Sequence, residues 1–99
     1  MNVELDLETI PIVAPQWVLA FGTALEIPNA VRQRAHQLSR IAMDTQMSSG
    51  ANPRGVAAAC LYLASTEFGL SLSQTEIAAV ADVSTATLRS RRDDLLEIV

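Results

Sequence analysis

The stretch "SSGANPRGVAAACLYLAS", residues 48–65, joins a small polar loop to an almost unbroken apolar run from Val56 to Ala64. A helix over residues 53–68 therefore has no polar side, and a helix apolar all round is buried all round. Residues 47–52 form a turn containing Gly50. Asn52 can cap the helix, and Pro53 falls at the first helical position, where its missing N–H leaves no bond unmade. The alanines let neighbouring helices approach closely, Cys60 reads as a small core residue, and Tyr62 needs a polar partner for its hydroxyl. The implied fold class is all-α, with this third helix at the centre of a bundle.

Upstream, Trp17, Val18, Phe21 and Leu25 recur at helical spacing, which predicts a first helix over 15–25. Pro15 is tolerable in its first turn, Pro28 bars simple continuation, and Trp17 reads as a core anchor. A second helix over 29–44 sets Val31, Ala35, Leu38 and Ala42 on one face. Arg32, Arg34 and Arg40 point mostly away, with His36 between them at the surface or half-buried. Residues 1–14 alternate acidic and apolar side chains and include Pro11, which suits an extended arm or linker before a single domain over 15–99. Downstream of Gly69, Ser73 and Glu76 make a capping box that starts a fourth helix at Ser73 or Gln74, ending near Ala81. Asp82 and Val83 make a short turn and Ser84 caps a fifth helix, with Leu88, Leu95 and Ile98 as its inward face.

Composition narrows the function. The chain has 99 residues, 49% apolar and only 4% aromatic, enough for one aliphatic core. Cys60 and His36 are the only residues of their types, so neither a disulfide nor a Cys/His zinc site can form within the chain, and no cofactor is implied. The apolar run is too short to span a membrane and the N-terminus lacks a basic start, which predicts a soluble, intracellular protein. The carboxylates are scattered or at exposed turns, with no phosphate loop or nucleophile–base pair, so no enzyme is expected. The formal charge of −4 argues against a generic polyanion binder, and any contact with nucleic acid must be local. All seven basic residues are arginine; an acidic, lysine-free surface suits either high internal salt, which screens charge, or a GC-rich genome.

The fourth and fifth helices, short and joined by a tight turn, have the form of a helix-turn-helix. Ala78 falls where the two helices touch, Ile77, Ala81, Val83 and Leu88 fall at core positions, and Asp82 stands where glycine is frequent. In such a motif the second helix leads into the major groove with its N-terminal half. With Leu88 inward, Thr85, Ala86 and Arg89 form the groove-facing set. Arg89 can fork onto a guanine edge, Ala86 can meet a thymine methyl, and hydroxyls such as that of Thr87 can reach phosphates. Arg89, Arg91 and Arg92 are the only concentrated positive charge. Two alternatives stand beside this reading: Arg91 and Arg92 can simply pair with Asp94, Glu97 and their neighbours, and helix-turn-helix pairs also serve as structural hairpins.

The same segments resemble the archaeal transcription factor B family, the counterpart of eukaryotic factor IIB. "SSGANPRGVAAACLYLAS" is similar to that family's "SGxSPxGxAAAAxYxA" segment. "SQTEIAAVADVSTATLRSRRDDL" and "WVLAFGTALEIPNAVRQRA" resemble stretches of its second cyclin repeat, and the likeness runs from about residue 10 to 97. The resemblance implies a five-helix cyclin-like bundle, archaeal, cytoplasmic and nucleoid-associated, that reads promoter DNA upstream of the TATA box. It further implies the TATA-binding protein as partner and the RNA polymerase assembly as an indirect one, with this chain a monomer. By position, Arg89 matches the arginine implied to read bases, Arg91 a following basic residue, and Gln74 the glutamine that opens the motif. Ala86 replaces a valine, Ser90 and Arg92 an asparagine and an aromatic, Ala51 a basic residue, and Glu26 the glycine that ends helix one. The family's zinc ribbon and first repeat have no counterpart, as in an excised domain or a stand-alone relative. The competing expectations are a cyclin-like protein-interaction module with weak or no DNA binding, and a repressor, which would need a dimer to span two half-sites.

Overall fold

The computed structural model describes residues 14–45 and 52–98. Among these are five helices and no strand: α1 (Ala14–Ala24), α2 (Asn29–Asp44), α3 (Pro53–Glu67), α4 (Gln74–Ala81) and α5 (Thr85–Ile98). The expected all-α, five-helix bundle is thus present. α3 lies at its centre and packs against each of the other four helices.

The apolar run explains that position. Every residue from Gly55 to Leu61 is buried, as are Ala64 and Ser65. Five alanines or glycines in that span keep the helix thin, so the larger Leu38, Ile77, Leu88 and Leu95 close on it from α2, α4 and α5 and are themselves fully buried. Burial pushes the Cys60 thiol up to about 12, so it is an unreactive core group. Asn52 starts the helix as expected, its side-chain oxygen accepting from the Arg54 N–H at 2.9 Å. The rest of the expected 47–52 turn, and residues 1–13 of the expected arm, lie outside the described residues.

Three helices end alike. After α1, α3 and α4 the chain turns through a left-handed residue, with φ of 56° at Glu26, 75° at Gly69 and 59° at Asp82. In each the next N–H reaches back to an earlier carbonyl: Ile27 to Gly22 at 2.9 Å, Leu70 to Ser65 at 2.8 Å and Val83 to Ala78 at 3.0 Å. Only Gly69 adopts this geometry without Cβ strain, and aspartate tolerates it better than glutamate. Glu26→Gly should therefore stabilise the domain, by about 0.5–1 kcal/mol after the unfolded-state entropy of glycine is counted. A rise in the denaturant midpoint with unchanged slope would register it; a fall would mean that the Glu26 side chain contributes something the backbone geometry does not reveal.

Several expectations are corrected. Ala14 belongs to α1 rather than to the arm, because it is buried against the core at 1% exposure. Leu25 follows the helix and is half-buried, and Ile98, the last residue of α5, is exposed rather than inward. Trp17 is a partial anchor, half-buried and stacked on Phe21 at 5.1 Å. Tyr62 meets Arg92, whose guanidinium lies over its ring at 5.9 Å, so the polar partner engages the ring face rather than the hydroxyl. No helix among the described residues is long and apolar enough to cross a membrane.

Candidate nucleic-acid interface

The helix-turn-helix is built from both ends. At its entry Ser73 and Glu76 form the capping box, with the Glu76 N–H donating to the Ser73 hydroxyl at 3.0 Å and the Ser73 N–H to the Glu76 carboxylate at 3.3 Å. At the turn the left-handed Asp82 reverses the chain, and Ser84 caps α5 by accepting from the Thr87 N–H at 3.0 Å. Ile77, Ala78, Ala81 and Leu88 are buried between the helices and α3, with Val83 packed partly against them. The small Ala78 lets α4 and α5 approach, as its place in the sequence implies.

Helical geometry then decides which side chains of α5 are offered outward. Ala86, Arg89, Ser90 and Asp93 are exposed on one side, and Thr85 lies half-buried at their edge. Gln74, the first residue of α4, joins them: its side-chain oxygen accepts from Nη1 of Arg89 at 3.2 Å. Of the seven expected site residues, Gln74, Thr85, Ala86 and Arg89 are brought together in this way.

The other three are turned elsewhere. Thr87 and Arg91, four residues apart, lie on the flank of α5 that crosses α3. A Cβ added to Gly55 would stand 2.9 Å from the Thr87 methyl and 3.6 Å from Arg91 Cγ. Gly55 is therefore where α3 lets α5 come close, and the Thr87 hydroxyl accepts from that of Ser84 at 3.0 Å. Arg91 pairs with Asp94 at 3.2 Å and its buried Nε has no partner, while Arg92 pairs with Asp93 at 3.0 Å as it lies over Tyr62. The intrahelical pairing considered from the sequence is thus realised for both.

The charge distribution follows. Arg89, Arg91 and Arg92 are matched on α5 by Asp93, Asp94 and Glu97, so the helix is formally neutral. α2 is more basic, with three arginines against Asp44, although its Arg34 is engaged by Glu67 of α3 at 2.8 Å, a hydrogen bond that raises the guanidinium further above its ordinary value. An open groove of about 480 Å³ between α1 and α2 is lined by Leu19, Asn29, Arg32, Gln33, His36 and Gln37, a set with no carboxylate or thiol to act as nucleophile. Among the described residues no group of three His, Cys, Asp or Glu side chains could hold a metal.

One residue of this region escapes the sequence reading. Arg54, in the first turn of α3, reaches the turn of the motif, with Nη1 3.7 Å from the Asp82 carboxylate and the guanidinium 5.9 Å from the Trp17 ring. Its signal was an isolated arginine between a proline at the helix start and an otherwise apolar helix. Sequence alone does not say which neighbouring element such a residue meets.

Comparison with known proteins bears on what these residues serve. A family model described as the transcription factor TFIIB repeat matches residues 8–98. The chain is 41% identical over 99 residues to transcription initiation factor IIB 5 of Halobacterium salinarum, covering all of this chain and 32% of that protein. It is 38% identical over 95 residues to transcription initiation factor IIB 2 of Haloferax volcanii, covering 96% of this chain and 29% of that protein. Against transcription initiation factor IIB of Methanocaldococcus jannaschii the identity is 36% over 94 residues, or 95% and 14% of the two chains. The chain thus spans about a third or less of the length of these relatives.

Proposed function

The chain belongs to the transcription factor TFIIB repeat family, and on that premise we propose that this cyclin-like bundle is a promoter-binding module of transcription initiation rather than an enzyme. α5 enters the major groove beside the TATA box, Arg89 reads a base edge with Gln74 bonded to it, Ala86 meets a thymine methyl, and Thr85 reaches the backbone. The TATA-binding protein is its partner on the promoter, and the polymerase assembly is engaged indirectly. The archaeal sources of the relatives support a cytoplasmic, nucleoid-associated setting. The observation that carries the reading is the exposed Arg89, held by an amide while Arg91 and Arg92 are held by carboxylates.

Few cations face outward, so few counterions are released on binding. A labelled duplex carrying a purine-rich element beside a TATA box should bind with a log–log salt slope of only about −2 to −3. It should bind more tightly than a scrambled duplex, and more tightly still with the TATA-binding protein present. Fluorescence anisotropy across a potassium chloride series checks this, and equal affinity for both duplexes at every salt would remove the reading.

The formally neutral α5 favours a second reading, a cyclin-like module that binds a protein and holds DNA weakly or not at all. It predicts no amide shift in α5 on titration with either duplex, even at low salt, alongside a specific protein complex.

A further inference from the structure

Four of the seven arginines of this protein meet carboxylates, and Arg32 donates to the Thr23 hydroxyl at 3.1 Å. Arg34 meets Glu67 at 2.8 Å, Arg91 meets Asp94 at 3.2 Å, Arg92 meets Asp93 at 3.0 Å and Arg54 lies 3.7 Å from Asp82. Arg89 instead donates from Nη1 to the neutral amide oxygen of Gln74 at 3.2 Å, across fifteen residues of chain. The acids best placed by sequence to capture it are otherwise engaged. Asp93, one turn further along α5, is held by Arg92, and Glu76 is held by the backbone and hydroxyl of Ser73. The backbone of Gln74 is itself fixed, because it opens α4 directly after that capping box.

A neutral acceptor and a carboxylate do different things to a guanidinium. Either restrains the long side chain, which otherwise loses rotamer entropy when it binds. The carboxylate also forms an ion pair that a guanine edge must break, whereas the amide leaves the full charge and the remaining N–H donors available. We propose that Gln74 is a positioning residue: its neutral amide fixes the Arg89 guanidinium for base reading and keeps it out of an ion pair. On this basis the charge of residue 74 acts as the on–off determinant of sequence reading, and Arg92 contributes by occupying Asp93. The inference rests on the DNA-reading role proposed above.

The test compares Gln74→Ala and Gln74→Glu, each in the parent and in the Arg89→Ala background. The measurements are the affinity ratio for the promoter duplex against one with a single base pair changed, and the melting temperature. Gln74→Ala should cut the ratio about 3- to 10-fold, a part of what one arginine–guanine pair supplies, with the salt slope unchanged because no charge is lost. Gln74→Glu should cut specific affinity about tenfold or more at low salt, with the loss shrinking at molar salt as the new ion pair is screened. Its melting temperature should hold or rise, since an acid is favourable in the first turn of α4, so binding and stability move in opposite directions. Both effects should vanish in the Arg89→Ala background. Losses that persist without Arg89, or an unchanged ratio in Gln74→Ala, would overturn the inference while leaving DNA reading intact. A parent protein with no preference between the duplexes would overturn both.

Discussion

Arg89→Ala is expected to lower discrimination between the promoter duplex and a single-base variant by about tenfold or more, which is what one bidentate contact supplies. Affinity for scrambled DNA should fall much less, by the loss of one cation, and the magnitude of the salt slope should drop by about one. The asymmetry follows from where the side chain stands. Arg89 is exposed and bonded only to Gln74 among the described residues, so its removal leaves no hole and stability should stay within about 0.5 kcal/mol of the parent. Arg91→Ala is the informative contrast. That side chain packs beside Gly55 and pairs with Asp94, so its loss should reduce stability more than sequence preference. Competition anisotropy with both duplexes, read beside thermal melts of both variants, separates the two outcomes. If Arg89→Ala retained full discrimination across the salt series, base reading would have to be reassigned away from Arg89.

Leu61→Ala should give the largest loss of stability, about 3 kcal/mol, and lower the melting temperature by roughly 10–20 °C. Leu61 is fully buried on the helix that touches all four others, among alanines too short to fill the space it would vacate. The cavity can close only by moving two helices at once, which the remaining contacts resist. Circular dichroism melts of parent and variant check this. A loss below about 1 kcal/mol would mean that α3 can slide to refill the site, and that its central position is not the main source of stability.

Both results depend on features that differ in how far the sequence reveals them. The burial of α3 is legible because no arrangement of Val56–Ala64 on a helix gives a polar side, so any fold must enclose it. The caps at Asn52, Ser73 and Ser84 are legible because each bonds a backbone group two or three residues away, a local matter. Leu88 and Leu95 are legible as the inner stripe of α5, and Arg89 as lying off it toward solvent. The fates of Thr87, Arg91 and Arg92 are less so. They flank the inner stripe, and helical periodicity leaves open whether a flank meets solvent, DNA or a neighbouring helix. The close approach of α3 at Gly55 decides it for Thr87 and Arg91, and the Tyr62 ring for Arg92.

By itself, then, the chain determined an all-helical bundle, the identity of its central helix, the caps that start α3, α4 and α5, and the helix-turn-helix that carries Arg89. These depend on periodicity, capping and backbone geometry, which act within a few residues. Tertiary structure alone decided that Gln74 holds Arg89, that Thr87 and Arg91 lie against α3 at Gly55, that Arg92 lies over Tyr62, and that Arg54 reaches the turn of the motif. Those are contacts between side chains brought together by the packing of whole helices, and no local rule specifies which long polar side chain will find which partner.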